Sequence, residues 1–367
     1  MIESRVLMLL AAATAGIWAD YRPNRFVLDL NMEPEHRWDH IIQQNMATTD
    51  FLRANGDSLV PKSLRSPDFM NQMTKVLQGF PDEYRREIEG IAREANLSLG
   101  LVTMLNVFYE LTAHSNPENP LSLEGCSSLL AKDRHGRVLH GRIVDYYEEM
   151  QGFLETATII VDFVKDGKIL FTSPTFVTTV GLLTGLKEAA FSVSMNQRNV
   201  GTLEDNLIMA ERTGYKNIDG FIIRKVLEEE TSFEAAVEKL STELFIAPAY
   251  VVVAGTGIND GVLITRDRAA AADVQYLGQG NNTWYLVQTN SDHWEFDETY
   301  RRQAAIEWLE CTVPSQFSVE SMQELLAVYP IQSNLTVFTM VMSPDHASLV
   351  YETTMVVTKT YPPAAAA

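Results

Sequence analysis

The sequence predicts an α+β fold built in layers. Residues 20–115 read as mostly helical. From residue 126 onward, runs of strand are interrupted by helix pairs. Between them lies His114-Ser-Asn-Pro-Glu-Asn-Pro-Leu-Ser-Leu-Glu-Gly125, whose prolines, asparagines and glycine mark an exposed loop.

Taken in order, the first residues read as a secretory signal spanning 1–19. Arg5 is the only nearby base, preceded by Glu3. Val6 to Ala13 is apolar, and Ala13-Thr14-Ala15 fits a small-x-small cleavage site, with a cut after Ala19 as the alternative. A buried first helix is the competing reading. The apolar run is shorter than the roughly 20 residues a bilayer span needs, so the mature chain is expected to be soluble. Tyr84, Ile88, Ile91 and Ala95 recur at i, i+4, i+7 and i+11, which predicts one buried helix face. Leu99–Leu111 is largely apolar and reads as a core helix or as one wall of an apolar pocket.

Past the loop, strands are predicted at Thr158–Val164, Ala189–Asn196, Tyr250–Ala254, Val262–Thr265, Thr283–Thr289, Leu335–Met342 and Ser348–Val357. Helices are predicted at Asp219–Glu229, Tyr300–Cys311 and Glu320–Val328. Another is expected to open at a capping box, Thr231-x-x-Glu234.

Composition narrows the function classes. Lys+Arg is 29 against Asp+Glu 48, a formal charge of −19. That excludes a nucleic-acid binder held by bulk charge and general adhesion to anionic membranes. Hydrophobic residues at 46% with 21% charged place the chain among globular proteins. Cys126 and Cys311 are the only cysteines, so a disulfide framework is excluded. Three glycosylation sequons, at Asn96, Asn281 and Asn334, agree with secretion. An acidic secreted chain is also compatible with a lysosomal home, where protonation relieves carboxylate repulsion.

The chemistry centres on Cys126, which follows the loop and opens a strand-like run. Read alone, it is a buried structural thiol. His140-Gly-Arg142-Ile-Val-Asp145-Tyr146 changes that reading. A turn at Asp133-Arg-His-Gly136 makes a hairpin that folds Arg142 and Asp145 back toward Cys126. A guanidinium beside a thiol favours the thiolate, and the carboxylate is placed to position Arg142 or the Cys126 amine. The competing reading of Arg142 and Asp145 is a surface ion pair of little worth.

Gly125/Cys126-Ser-Ser with Asp133, Gly136 and His140-Gly-Arg142-x-x-Asp145-Tyr resembles the start of the catalytic chain in the acid ceramidase and N-acylethanolamine-hydrolysing acid amidase family. These are N-terminal-nucleophile hydrolases. Further matches are Phe108-Tyr-Glu-Leu, Gly181-Leu-Leu-Thr-Gly-Leu-Lys187, Phe191-Ser-Val-Ser-Met-Asn196, Ala247-Pro-Ala-Tyr250, Val287-Gln-Thr-Asn290-Ser-Asp-His-Trp294 and Arg301-Arg302. The middle fragments look closer to ceramidase. The resemblance implies a four-layer αββα sandwich, a helical α-subunit over 20–125 and a catalytic β-subunit over 126–367.

It also implies a proenzyme that cleaves itself at Gly125-Cys126, after which nucleophile and α-amine base sit on one residue. That reading competes with a Cys–His enzyme using His140 or His293. By match, Cys126 forms the acyl-enzyme, Arg142 and Asp145 hold the thiol and amine, and Asn290 donates to the oxyanion. Arg301 is a second site arginine, with Arg302 as its rival. No cofactor or metal is expected. The expected partners are a lipid amide at a membrane surface, the two chains of one precursor and a lipid-presenting helper protein. The implied activity is hydrolysis of ceramide or N-acylethanolamines. The alternatives are a silent lipid-binding relative and a penicillin- or bile-salt-type acylase acting on soluble amides.

Two departures stand out. The family's Asn-Glu-Arg is Asn196-Gln197-Arg198 here, which removes a charge beside the supporting Asn196. Cys311 matches a family cysteine that bridges to the helical subunit, yet residues 20–125 hold no cysteine. The two chains are then expected to be held by buried apolar surface.

Overall fold

Two sheets fill the middle of the chain, and helices cover both outer faces. The structure, a computed structural model, describes residues 20–345 except 22, 61–63, 65, 67, 116–124, 147 and 281–283, together with residues 355–356. The signal segment 1–19, most of the loop before Cys126, Asn281 and residues 348–354 of the last predicted strand lie outside the described residues.

The helical first third begins with strands β1 (Asp20–Tyr21) and β2 (Arg25–Asp29). It continues with α1 (Asp39–Gln44), α2 (Met46–Asn55), α3 (Phe69–Val76), α4 (Asp82–Ala95), α5 (Leu99–Asn106) and α6 (Phe108–Thr112). The rest of the chain runs β3 (Ser127–Lys132), β4 (Val138–Asp145), α7 (Glu148–Ala157), β5 (Thr158–Lys165), β6 (Lys168–Phe176), β7 (Thr184–Lys187) and β8 (Phe191–Gln197). After these come α8 (Leu203–Arg212), α9 (Asp219–Glu229), α10 (Phe233–Thr242), β9 (Ala249–Gly255), β10 (Gly261–Arg266), β11 (Ala271–Tyr276) and β12 (Tyr285–Gln288). Last are α11 (Arg301–Glu310), α12 (Val319–Leu326), β13 (Thr336–Met342) and β14 (Met355–Val356).

The larger sheet has eight strands in the order β11-β10-β9-β8-β7-β6-β5-β2, and the smaller has the order β12-β3-β4-β13. Helices α9 and α10 pack on the large sheet through β6, β7, β9 and β10, while α11 and α12 pack on β12, β4 and β13. The sheets face each other through contacts of β3 with β8 and β4 with β9. This is the αββα sandwich.

Strand β4 shows why the site lies between the sheets. All eight of its residues are buried. Successive side chains of a strand point to opposite faces. Leu139 and Ile143 join the core under α11 and α12, and a side chain on Gly141 would collide with Met322. His140 and Arg142 point the other way and bond to Ser192, Ser194 and Asn196 of β8. The space between the sheets is therefore a polar seam, affordable because its members bond one another.

Residues 20–115 are mostly helical as expected, and the strand β2 within them alternates exposed and buried and adds a parallel edge to β5, pairing Arg25 with Ile160. One local expectation is corrected. The predicted box at Thr231 and Glu234 is displaced by one residue. Ser232 is the N-cap of α10 and accepts from the Ala235 N–H at 3.2 Å, whereas a reciprocal capping box forms at Thr202 and Asp205 on α8. The predicted face of α4 is buried as expected, with Ile88 and Ile91 fully enclosed.

The helical third is fastened to the rest by more than apolar surface. Glu87 of α4 is completely buried and takes Arg224 of α9 in a two-point pair at 2.6 and 2.7 Å. It also accepts from Arg37 at 2.8 Å and the Trp38 ring N–H at 2.7 Å. Burial pushes the Glu87 carboxyl up, but the Arg224 charge and its hydrogen bonds outweigh that and hold it below the ordinary range. Cys311 is exposed at the C-terminal end of α11, and Asn96 and Asn334 are exposed.

Candidate active site

The β3–β4 hairpin places the first part of the site. Asp133 accepts from the backbone N–H groups of His135 and Arg137 at 2.8 and 2.9 Å, and from the Arg137 side chain, which fixes the turn. The resulting register sets Ser128 opposite Arg142. Cys126 stands one residue before β3 and is buried.

Arg142 is fully buried. Its Nη2 donates to Cys126 Sγ at 3.1 Å and to the Met195 carbonyl at 2.7 Å. Its Nη1 donates to Ser128 Oγ at 3.1 Å and to Asn196 Oδ1. A guanidinium held by three other acceptors keeps a fixed donor against the Cys126 sulfur without itself moving. Asn196 completes the frame by donating through Nδ2 to the carbonyls of Gln288 and Thr289 at 3.1 Å.

Arg301 supplies the second cation. It opens α11 immediately after Tyr300, whose φ of 58° turns the chain. Its Nη1 donates to the Gly125 carbonyl at 2.5 Å and the Cys126 carbonyl at 3.2 Å, and lies 3.4 Å from Asp145 Oδ2. Its Nη2 donates to Asn290 Oδ1 at 3.0 Å. Arg302 instead donates to the carbonyls of Ser291, Asp292 and Glu295 and braces that loop. Of the two, Arg301 is the one that reaches Gly125 and Cys126. Asp145 reaches Arg301 rather than the Arg142 of its own strand, and accepts from Thr336 Oγ1 at 2.6 Å. Burial pushes its carboxyl up to about 6, against the pull of the Arg301 charge and the Thr336 bond.

Asn290 donates to the Gln197 carbonyl at 2.8 Å, and its side chain fills the space beside Gly125, where any Cβ would overlap it. Gln197 donates to the Thr112 carbonyl at 3.1 Å and to Asn199 Oδ1 at 2.8 Å, so the amide at this position ties α6 to the site. Neither histidine is placed as the base of Cys126. His140 is buried between Ser192 Oγ at 2.9 Å and Ser194 Oγ at 2.8 Å, and burial, helped by the Arg142 charge, pushes it down to about 3. His293 lies 3.7 Å from Asp273 in a partly exposed position. Among the described residues no group of three or more acidic, histidine or cysteine side chains is arranged to hold a metal ion.

Two cavities meet at this site. The first, about 500 Å³, is lined by Cys126, Asp145, Gln197, Phe108, Tyr109 and Tyr146. The second, about 850 Å³, shares the Phe108, Tyr109, Tyr146 and Leu183 walls and continues among Leu105, Phe153, Leu154, Phe176 and Phe338. The apolar Leu99–Leu111 stretch serves both purposes expected of it, since Val102 and Met104 are core while Leu105 and Phe108 line the cavity.

Sequence reasoning missed Ser128, Thr336 and Thr299, which accepts from Arg301 Nε at 2.9 Å. Ser128 had a signal in its place two residues after Cys126. Thr336 is 191 positions from Asp145 and had none.

A family model described as linear amide C–N hydrolases, choloylglycine hydrolase family, matches residues 126–303. The chain is 34% identical over 344 residues to the N-acylethanolamine-hydrolyzing acid amidase of Caenorhabditis elegans, covering 94% of this chain and 95% of that one. It is 36% identical over 347 residues to the enzyme of that name from Rattus norvegicus, covering 92% and 91%. It is 32% identical over 343 residues to the acid ceramidase of Mus musculus, covering 86% and 82%. Identity thus runs higher toward these amidases, the reverse of the leaning drawn from the middle fragments. A solved structure of the C. elegans N-acylethanolamine-hydrolyzing acid amidase ortholog matches with a TM-score of 0.56 and 40% identity, covering 61% of this chain and 94% of that chain.

Proposed function

The chain belongs to the choloylglycine hydrolase family of linear amide C–N hydrolases, with N-acylethanolamine-hydrolyzing acid amidases and acid ceramidases as relatives, and we propose that it hydrolyses fatty-acyl amides after cutting itself at Gly125-Cys126. One observation carries this reading. In the uncut chain the Gly125 carbonyl oxygen already sits 2.5 Å from Arg301 Nη1, while the Cys126 sulfur lies 3.1 Å from Arg142 Nη2.

Cys126 Sγ adds to the Gly125 carbonyl carbon, and Arg301 receives the charge that develops on the oxygen. The Gly125–Cys126 C–N bond breaks, the nitrogen takes the thiol proton, and the acyl group is left on sulfur as a thioester. Water hydrolyses it, which releases the Gly125 carboxylate and a free Cys126 α-amine. Gly125 then vacates the place beside Asn290 and Arg301. A substrate carbonyl takes that place, Cys126 attacks it as its α-amine takes the thiol proton, and the resulting ammonium passes that proton to the departing amine. Water frees the fatty acid in the second half of the cycle.

The large cavity supports a lipid acyl group, since its walls beyond Cys126 are mostly apolar. N-acylethanolamines are favoured over ceramide by the higher identity to the amidases. The acid-named relatives and the signal-like N-terminal sequence support a lysosomal or secreted site of action.

Mass spectrometry of the purified protein after incubation in acid tests the reading. Two chains are expected, the second beginning at Cys126, together with release of fatty acid from long-chain N-acylethanolamines. A Cys126→Ala chain that still splits and hydrolyses overturns it. An unsplit wild-type chain that binds fatty acid without turnover supports the silent relative. Preference for soluble amides in a substrate panel supports the acylase alternative.

A further inference from the structure

Helix α6 is the last described helix before the cleavage loop, and its Phe108 and Tyr109 wall both cavities at Cys126. Residues beyond position 125 hold it down. Asn206 donates to the carbonyls of Glu110 and Ala113 at 2.8 and 3.1 Å. Gln197 donates to the Thr112 carbonyl, and the Tyr109 hydroxyl donates to the Pro248 carbonyl at 2.8 Å. These ties are neutral. The fourth runs from an acid side chain to the backbone of another acidic residue. Glu110 Oε1 accepts from the backbone N–H of Asp219, the first residue of α9, at 2.8 Å. Asp219 Oδ1 accepts from the N–H groups of Ile246 and Ala247 at 2.8 and 3.3 Å.

Each carboxyl therefore has one oxygen satisfied by backbone. The others, Glu110 Oε2 and Asp219 Oδ2, are buried and have no hydrogen-bond partner among the described residues. A buried acceptor without a donor costs about 1–3 kcal/mol, more when charged. Two neighbouring buried carboxyls remove that cost by holding one proton between them, as an O–H donor facing an O⁻ acceptor.

We propose that Glu110 and Asp219 form a proton-sharing pair across the cleavage point that positions α6, and with it the Phe108 and Tyr109 walls of the Cys126 cavity. The proposal rests on the reading of Cys126 as the reactive centre.

The surroundings agree. Arg266 of β10 and Arg268 are the cations whose charge acts on Asp219. Arg266 donates through Nη1 and Nη2 to the carbonyls of Ser241 and Glu243, and its Nε has no hydrogen-bond partner among the described residues. Arg268 donates to Asn206 Oδ1. Tyr109 on α6 is neutral, and the hydrogen bonds from α8 and the 246–247 segment come from an amide and backbone. Among the described residues no arginine or lysine donates a hydrogen bond to either carboxyl. Burial, and then the neighbouring Glu110 charge, hold Asp219 well above the carboxylate range, and burial raises Glu110. A raised carboxyl contributes stability that is complete in acid and is lost as the pH rises through its folded value. Docking of α6 is thus firm in acid and weakens toward neutrality.

Hydrogen exchange of the 108–112 amides, corrected for intrinsic rates, tests this in the full protein without any need for turnover. In wild type, protection falls at least about tenfold between pH 5 and about pH 7.5, the consequence of one unit of proton linkage. Glu110→Gln and Asp219→Asn each supply a fixed N–H donor toward the partner oxygen, and in each variant the fall disappears. Their KM for long-chain amides also stops rising across that range. Protection that is flat with pH in wild type overturns the proposal, whether or not the variants fold. So does a wild-type fall that persists in either amide variant. An inactive, unsplit chain that passes the exchange test sinks the amidase reading and leaves the pair standing.

Discussion

Replacing Arg224 with methionine isolates what would hold the two segments together after the proposed cut at Gly125-Cys126. Arg224 has no exposed surface. It donates to both oxygens of Glu87 and to Glu228 at 2.8 Å, with its guanidinium 4.7 Å from the Tyr84 ring centre and 5.1 Å from that of Phe163. Glu87 and Tyr84 precede residue 125; Arg224, Glu228 and Phe163 follow it. Methionine fills similar space but leaves Glu87 with only Arg37 and Trp38 as donors. Breaking one side of a buried pair costs about 3–5 kcal/mol. At about 1.4 kcal/mol per tenfold, that is roughly a hundred- to thousand-fold weaker association of the cut segments. No cysteine lies in residues 20–125 to bridge them. The assay is size-exclusion of processed protein across a urea series. Arg224→Met should separate into two chains at lower urea than wild type, and Glu87→Gln/Arg224→Met should recover part of the loss because no lone carboxylate remains buried. Chains of Arg224→Met that stay paired to the wild-type urea concentration refute the reasoning.

Other perturbations read out the centre itself. Arg142→Lys cannot reach Cys126, Met195, Ser128 and Asn196 at once, so the rate at which the second chain forms on a gel should fall at least about a hundredfold. Gly125→Ala pushes a methyl into the Asn290 side chain and should slow self-cutting while leaving the folded far-ultraviolet spectrum unchanged. Asp145 is raised by burial to about 6, so its contribution to stability is complete below the ordinary carboxylate range near 4 and lost as the pH rises through about 6. Asp145→Asn should therefore shrink the difference in urea midpoint between acid and neutral solution. Leu183→Trp narrows the passage shared by both cavities and should raise KM for long-chain amides at least about tenfold relative to short ones.

What could be read from the sequence was local. Cys126, Arg142 and Asp145 lie within twenty positions on one hairpin, and the turn residues Asp133 and Gly136 announce it. The face of α4 was legible because four apolar side chains repeat at helical spacing. Long-range choices were not legible. Arg301 and Arg302 are neighbours in sequence, and only the left-handed turn at Tyr300 and the start of α11 send one to Gly125 and the other to the Ser291–Glu295 loop. Strand β2 is five residues long and gains its identity from pairing with β5, more than 130 positions away. His140 shares the inter-sheet face with Arg142 but lies opposite Leu130 rather than Ser128, one step farther from Cys126, where Ser192 and Ser194 hold it. The helical segment was expected to be held by apolar surface, and the Glu87–Arg224 pair needed the packed structure to be seen.

The titratable groups divide by what lies next to them, and the division bears on where such a chain works. Glu87, Asp133, Asp292 and Asp297 are held below the ordinary carboxylate range, because arginine or hydrogen-bond partners outweigh their burial, and they fix α4, the hairpin turn and the loop between Asn290 and Arg301. These stay charged in mild acid and keep the frame rigid there. Asp145, Glu110, Asp219 and Glu228 are raised because burial wins, and they sit beside Gly125 and Cys126, under the cavity wall and where the helical third meets the rest. In acid they need not all carry charge. As the pH climbs, each adds a buried negative charge to a chain already at a formal −19. The groups at the site thus favour acid, while the frame depends on groups indifferent to it. On this division a rise in pH is expected to weaken the site before the sandwich.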